Sequence, residues 1–255
     1  GFSIATMSVE YKAAALTELA KIHAQHKRWD KALSYASQAT DYNKHNSDAI
    51  ALQIIANQQL GNFTSVKQLI TKLEKEQPLN LYVKWFTNKL SFKNELPEES
   101  ILELASFYGD IKLESELSKI LDALPNHPLA LYWKAYLNKS NTSKASELLN
   151  KANSASTLLV FPFRTSLMPI LQWAAKNSTS WKPSYYLALL LHDKNKKEEA
   201  FQMVSSLGTT PTDAHFYGLR AVWNKDQANT KELDLQKAIQ LDPTAWRYQK
   251  LLVQH

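Results

Sequence analysis

Apolar and small residues recur at helical spacing along most of the chain. Leu16, Leu19, Ala20 and His23 fall on one stripe, and Trp29, Ala32, Leu33, Ala36 and Ala39 on the next. Recurrence every three to four residues marks a helix with one buried face. The polar break between these stripes, His26-Lys27-Arg28, is short, which predicts two antiparallel helices joined by a tight turn. Residues 47–80 repeat the layout. Ile50, Ile54 and Asn57 stand on one helix, Gly61-Asn62-Phe63 is the turn, and Val66, Leu69, Ile70 and Leu73 stand on the other. Glycine suits that turn because it tolerates the left-handed conformation that ends many helices. Pro78 stops the second helix, and Ala32 and Val66 stand 34 residues apart, as do Trp29 and Phe63.

The middle is less regular. Residues 81–89 resemble residues 131–139, and both read as first helices of a pair. Between them, 98–108 and 111–124 read as helices split by Gly109-Asp110, and pairing these two with each other leaves the helix at 81–90 as an odd one. About fifteen helices are expected in all. Pro78, Pro97, Pro125, Pro128, Pro183, Pro211 and Pro243 fall at predicted boundaries, where a missing N–H costs least. Residues 154–166 break the rhythm. A polar Ser154–Ser156 is followed by Leu158-Leu159-Val160-Phe161-Pro162-Phe163-Arg164, which reads as a short extended segment packed across the helices. The expected organisation is a tail at 1–10, an array at 11–153, and a second array at 154–255 with a capping helix at 244–254. The fold class is all-α, a right-handed superhelical solenoid of helix pairs with little or no β-structure.

The repeat resembles the tetratricopeptide repeat, a 34-residue helix–turn–helix unit. The resemblance rests on small Ala20 in the first helix and an aromatic after the turn (Trp29, Phe63). It rests also on Ala32 opening the second helix, Ala39 near its end, and a terminating Pro78. The frame also fits Trp181-Lys182-Pro183 with Ala200, and Gln236–Pro243 resembles the family's closing phrase; Lys231 departs from the pattern where a small residue is expected. This resemblance implies stacked helix pairs and non-covalent recognition of protein. Residues 155–225, through Phe161–Arg164, Leu171–Ala174, Trp181–Leu187 and Phe216–Ala221, are similar to the helical tail of large Bacteroidetes proteins that carry a mutarotase-like β-sandwich. That second resemblance implies a fragment of a longer chain tied to glycan utilisation. The chain starts with Gly and shows no signal-peptide pattern, which reads as a processed chain or a fragment.

Composition narrows the chemistry. Of 255 residues, 44% are hydrophobic and 21% charged, a globular balance rather than a disordered one. The net charge of +6 comes from 26 Lys and only 4 Arg. Bidentate recognition of phosphates and bases favours Arg, so nucleic acid is not an expected partner. The five glycines are too scattered for a phosphate-cradling loop. With no Cys, disulfides, thiol catalysis and thiolate metal sites are excluded; this leans towards a periplasmic or surface location without fixing it. No apolar run is long enough to span a bilayer.

Stacked repeats leave a concave face lined by first helices. Helical spacing puts Lys182, Tyr185 and His192 there from one pair, and Phe216, Arg220 and Trp223 from the next. Lys134 and Asn138 lie one turn apart on an earlier helix, as do Lys84 and Asn88. Arg164 follows the rigid Pro162 segment and offers either an anion contact or a structural hydrogen bond. Aromatics beside Lys, Arg and Asn suit a peptide, including one from another domain of the same parent chain, or alternatively the stacking of sugar rings. No cofactor, metal or catalytic set is nominated. His23 and His26 lack a third ligand in sequence. His192 and Asp193 are adjacent and so diverge on a helix. Glu98-Glu99 and Glu198-Glu199 read as helix-start and turn charges. The expected function is a non-catalytic protein-interaction scaffold, with a glycan-binding module as the alternative.

Overall fold

The structure, a computed structural model, describes residues 1, 11–87, 96–224 and 228–254. The expected tail after Gly1, Asn88 and the end of the helix at 81–90 lie outside the described residues. Among the described residues there are fifteen α-helices, one short 3-10 helix and no strand. The chain divides into two compact units, Gly1–Leu124 and Pro125–His255. The boundary expected near residue 154 falls inside the second.

The first unit holds α1 (Lys12–Gln25), α2 (Trp29–Tyr42), α3 (Ser47–Gln59), α4 (Phe63–Glu76), α5 (Leu81–Thr87), α6 (Glu98–Asp110) and α7 (Glu114–Leu121). Helices α1–α2, α3–α4 and α6–α7 form pairs, α2 lies on α3, and α1 also touches α3. The odd helix α5 bridges α4 and α6. Ala20, Ala32, Ala36 and Ala39 are fully buried, and their small side chains let the helices approach closely. Asn46 caps α3 by accepting from Ala49 N at 3.0 Å, and its amide donates to Thr17 Oγ1 on α1 at 2.9 Å. Trp85 Nε1 donates to Tyr108 Oη at 2.7 Å, tying α5 to α6 inside the core.

One turn geometry recurs. At the ends of α1, α3 and α6, a residue with positive φ follows the helix: Lys27 at 55°, Gly61 at 78° and Lys112 at 56°. In each case that residue's N–H reaches back three residues, and the next N–H reaches back five. The bonds are Lys27 N to Ala24 O and Arg28 N to His23 O; Gly61 N to Gln58 O and Asn62 N to Asn57 O; Lys112 N to Gly109 O and Leu113 N to Tyr108 O. This is the Schellman cap, which satisfies carbonyls left open at a helix end. Only one of the three uses glycine.

The second unit holds α8 (Pro128–Leu137), α9 (Thr142–Ser154), the 3-10 turn Thr165–Leu167, α10 (Met168–Lys176), α11 (Lys182–Asp193), α12 (Lys197–Ser206), α13 (Ala214–Trp223), α14 (Ala228–Leu241) and α15 (Trp246–Val253). Helices α8–α9, α11–α12 and α13–α14 are paired, α10 lies against both α8 and α11, and α15 lies on α14. The α11–α12 turn repeats the Schellman pattern at Asn195 (φ 61°), with Lys196 N bonded to Leu191 O at 2.9 Å. Helix α15 occupies the stretch expected to cap the chain. It buries Tyr248 and leaves Trp246 exposed.

Candidate functional site

Between α9 and the 3-10 turn the chain runs as an irregular segment, residues 155–164. Its tail alternates. Val160, Pro162 and Arg164 are buried, while Leu158, Leu159, Phe161 and Phe163 are between 46% and 75% exposed. Alternation with a period of two belongs to extended chain and turns Phe161 and Phe163 to solvent, while Leu158 and Leu159 stand exposed on the turn before it, Leu159 with a φ of 58°. Arg164 lies beneath this row. Its guanidinium carbon sits 4.1 Å from the centroid of the Phe163 ring, and its carbonyl accepts from Leu167 N at 3.0 Å, starting the 3-10 turn. Arg164 is thus an interior brace for the row.

Beside Leu158 lies a polar cavity of about 410 Å³, where the N-terminal ends of α11 and α13 meet the start of the segment; Ser156, Thr157, Lys182, Asp213 and His215 line it. Lys182 Nζ donates to Ala155 O at 2.5 Å. Burial pulls its pKa down, and the carboxylate of Asp213 opposes that pull. Asp213 is the N-cap of α13, accepting from His215 N at 2.7 Å on one oxygen and from the Thr157 hydroxyl on the other. Arg247 Nη2 donates to His215 Nε2 at 2.7 Å. The cavity therefore presents one ammonium and the carboxylates of Asp213 and Asp242, with Lys182 and Asp213 fixed by further hydrogen bonds. Such a wall can meet both the N–H and the C=O of a peptide main chain.

The other nominated residues do not converge here. Tyr185 and Phe216 correct the sequence reading: they are interior, 6% and 0% exposed. With Trp181 and Tyr186 they form a ring cluster, with Tyr185 lying 5.6 Å from both Trp181 and Phe216. Helix α11 buries Tyr185, Tyr186, Leu187, Ala188, Leu190 and Leu191, so most of its circumference is covered and no aromatic stripe is left open. Of the three nominated groove aromatics, Trp223 keeps a partly exposed ring. His192 and Trp223 are brought together, stacked at 4.3 Å and within 5° of parallel. Asn138 closes its own helix end, its amide donating to Lys134 O at 2.8 Å, and both residues are half-buried. Arg220 is committed to Asp234 through two bonds of 2.8 and 2.6 Å, and to Gly208 O at 2.6 Å.

Glu98 and Glu99 sit in the first turn of α6, and Glu198 and Glu199 in that of α12. His23 stacks on Tyr35 at 5.1 Å. Among the described residues no three His, Cys, Asp or Glu side chains gather as a metal site would require, and no helix is long and apolar enough to cross a membrane. His215 and Thr157 were missed by sequence reasoning. The alternation from Val160 to Arg164 is the signal that marks the exposed row.

No protein-family model matches the chain, and no curated protein matches it. Solved structures do. A tetratricopeptide repeat protein from Parabacteroides merdae is similar at 16% identity and TM-score 0.30, over 94% of this chain and 97% of that one. A thermophilic tetratricopeptide repeat protein of Thermus thermophilus is similar at 13% identity and TM-score 0.29, over 95% and 97%. Yeast Tom70 is similar at 17% identity and TM-score 0.34, over 97% of this chain and 59% of its own.

Proposed function

We propose that the protein is a non-catalytic interaction scaffold whose second unit binds an extended peptide or a partner domain. One observation carries this reading: Leu158, Leu159, Phe161 and Phe163 stand exposed on one short segment, whose Leu158 lines the cavity of Lys182 and Asp213. Contiguous apolar surface with a polar border marks an interaction site, and aromatic anchors contribute much of the energy at such sites. A peptide lying along the segment buries its apolar side chains on the row. Its main chain then donates to Asp213 and accepts from Lys182.

The test is selection of peptides from a random displayed library against the full chain, followed by affinity measurements on variants. Phe161→Ser with Phe163→Ser is expected to weaken the selected peptides at least about 30-fold, the loss of roughly 2 kcal/mol typical of anchor residues. Leu79→Ser removes a more exposed apolar side chain of the first unit (89% exposed) and is expected to change nothing. Peptides indifferent to the double substitution, or no enrichment at all, would refute the reading.

A further inference from the structure

A second, separate cavity lies in the same unit. It is a half-open cleft of about 660 Å³ between α12 and the closely packed α13–α14 pair, within the size range of small-molecule sites. Phe201 from α12, Tyr217 from α13 and Leu233 from α14 supply apolar walls. Leu233 is 62% exposed, an apolar side chain that helix packing leaves uncovered. The floor is the ion pair of Arg220 and Asp234. Both carboxylate oxygens accept from the guanidinium, and its remaining terminal nitrogen donates to Gly208 O. The two charges cancel, and the floor is neutral.

Lys237 is the remaining lining charge. Its ammonium donates to Gln240 Oε1 at 3.0 Å, and among the described residues no carboxylate pairs with it. An apolar slot with one uncancelled cation at its margin complements a molecule with an apolar body and one negative head.

We propose that this cleft binds an amphipathic organic anion, its apolar chain against Phe201 and Leu233 and its carboxylate on Lys237. The site shares no lining residue with the cavity at Lys182, so it stands or falls independently of the scaffold reading. A protein segment would need an open groove; the partial enclosure of the cleft favours a small molecule.

The probe is dodecanoate below its micellar concentration, titrated calorimetrically into the full chain, with dodecyltrimethylammonium as the cationic counterpart. The expected result is saturable binding of one dodecanoate per chain, with the cation at least about tenfold weaker. Lys237→Gln is expected to weaken dodecanoate about tenfold and Leu233→Asp more than that. Both side chains are partly solvent-facing, and circular dichroism on each variant confirms that the helices are retained. No saturable binding overturns the proposal, as does equal affinity for the cation. So does affinity unchanged in both variants, or affinity lost instead in the Phe161→Ser/Phe163→Ser protein.

Discussion

A Cβ on Gly218 would collide with the buried ring of Tyr248, so that ring of α15 sits against α13 only while the position lacks a side chain. Replacing a glycine inside a helix by alanine ordinarily stabilises by about 1 kcal/mol. Here the sign reverses, because the ring must move and α15 with it. Gly218→Ala is expected to cost about 1–3 kcal/mol, read as a lower thermal midpoint. Combining it with Tyr248→Ala is expected to cost less than the two single changes together, since the clash is gone. Asp110 offers a second test. It ends α6, near Lys21, which holds Glu18 at 3.1 Å and Asp48 at 3.0 Å. Burial pushes the Asp110 carboxyl up to about 6, Lys21 pulls against it, and Glu18 and Asp48 add to the rise. The folded value lies above the unfolded value of about 3.9. The folded state therefore binds more protons between these limits, and the contribution of Asp110 falls as pH rises through about 6. Asp110→Asn is expected to leave stability near that of the parent at about pH 4 and to raise it by roughly 1 kcal/mol above about pH 7, after allowance for partial exposure. Urea midpoints across that range measure it.

Four helix ends share the same left-handed cap, at Lys27, Gly61, Lys112 and Asn195. A side chain there costs roughly 1–2 kcal/mol that glycine avoids, offset in part by the greater freedom of unfolded glycine. Lys27→Gly and Lys112→Gly are each expected to raise stability by about 0.5–1 kcal/mol in guanidinium unfolding. Of these caps, the sequence made only Gly61 legible as a left-handed position. Lysine carries no turn signal, and the spacing of 34 residues between positions 27 and 61 became meaningful only once both backbones were seen. The helices themselves were legible because small residues such as Ala32 and Ala36 mark close contacts, and prolines mark starts. Tyr185 and Phe216 were not, because helical spacing says which residues share a face but not how many faces of α11 are covered.

At the scale of the whole molecule, the division at Leu124 and Pro125 was hidden. Pro125 reads in sequence like every other helix-boundary proline, whereas the change of composition at 154–166 is conspicuous. That change marks surface chemistry inside one unit. The apolar row from Leu158 to Phe163 is also a hazard, since an extended oily stretch invites recruitment into fibres by identical copies. Pro162, in its middle, has no N–H to give to a growing ladder, and Lys or Arg nearby adds repulsion; Arg164, however, is buried, which leaves Pro162 as the principal gatekeeper. Pro162→Val is expected to shorten the lag of thioflavin-positive fibril growth in agitated solution, while the parent chain stays clear. The ring that stiffens this stretch is thus also expected to keep the chain from pairing with its own copies.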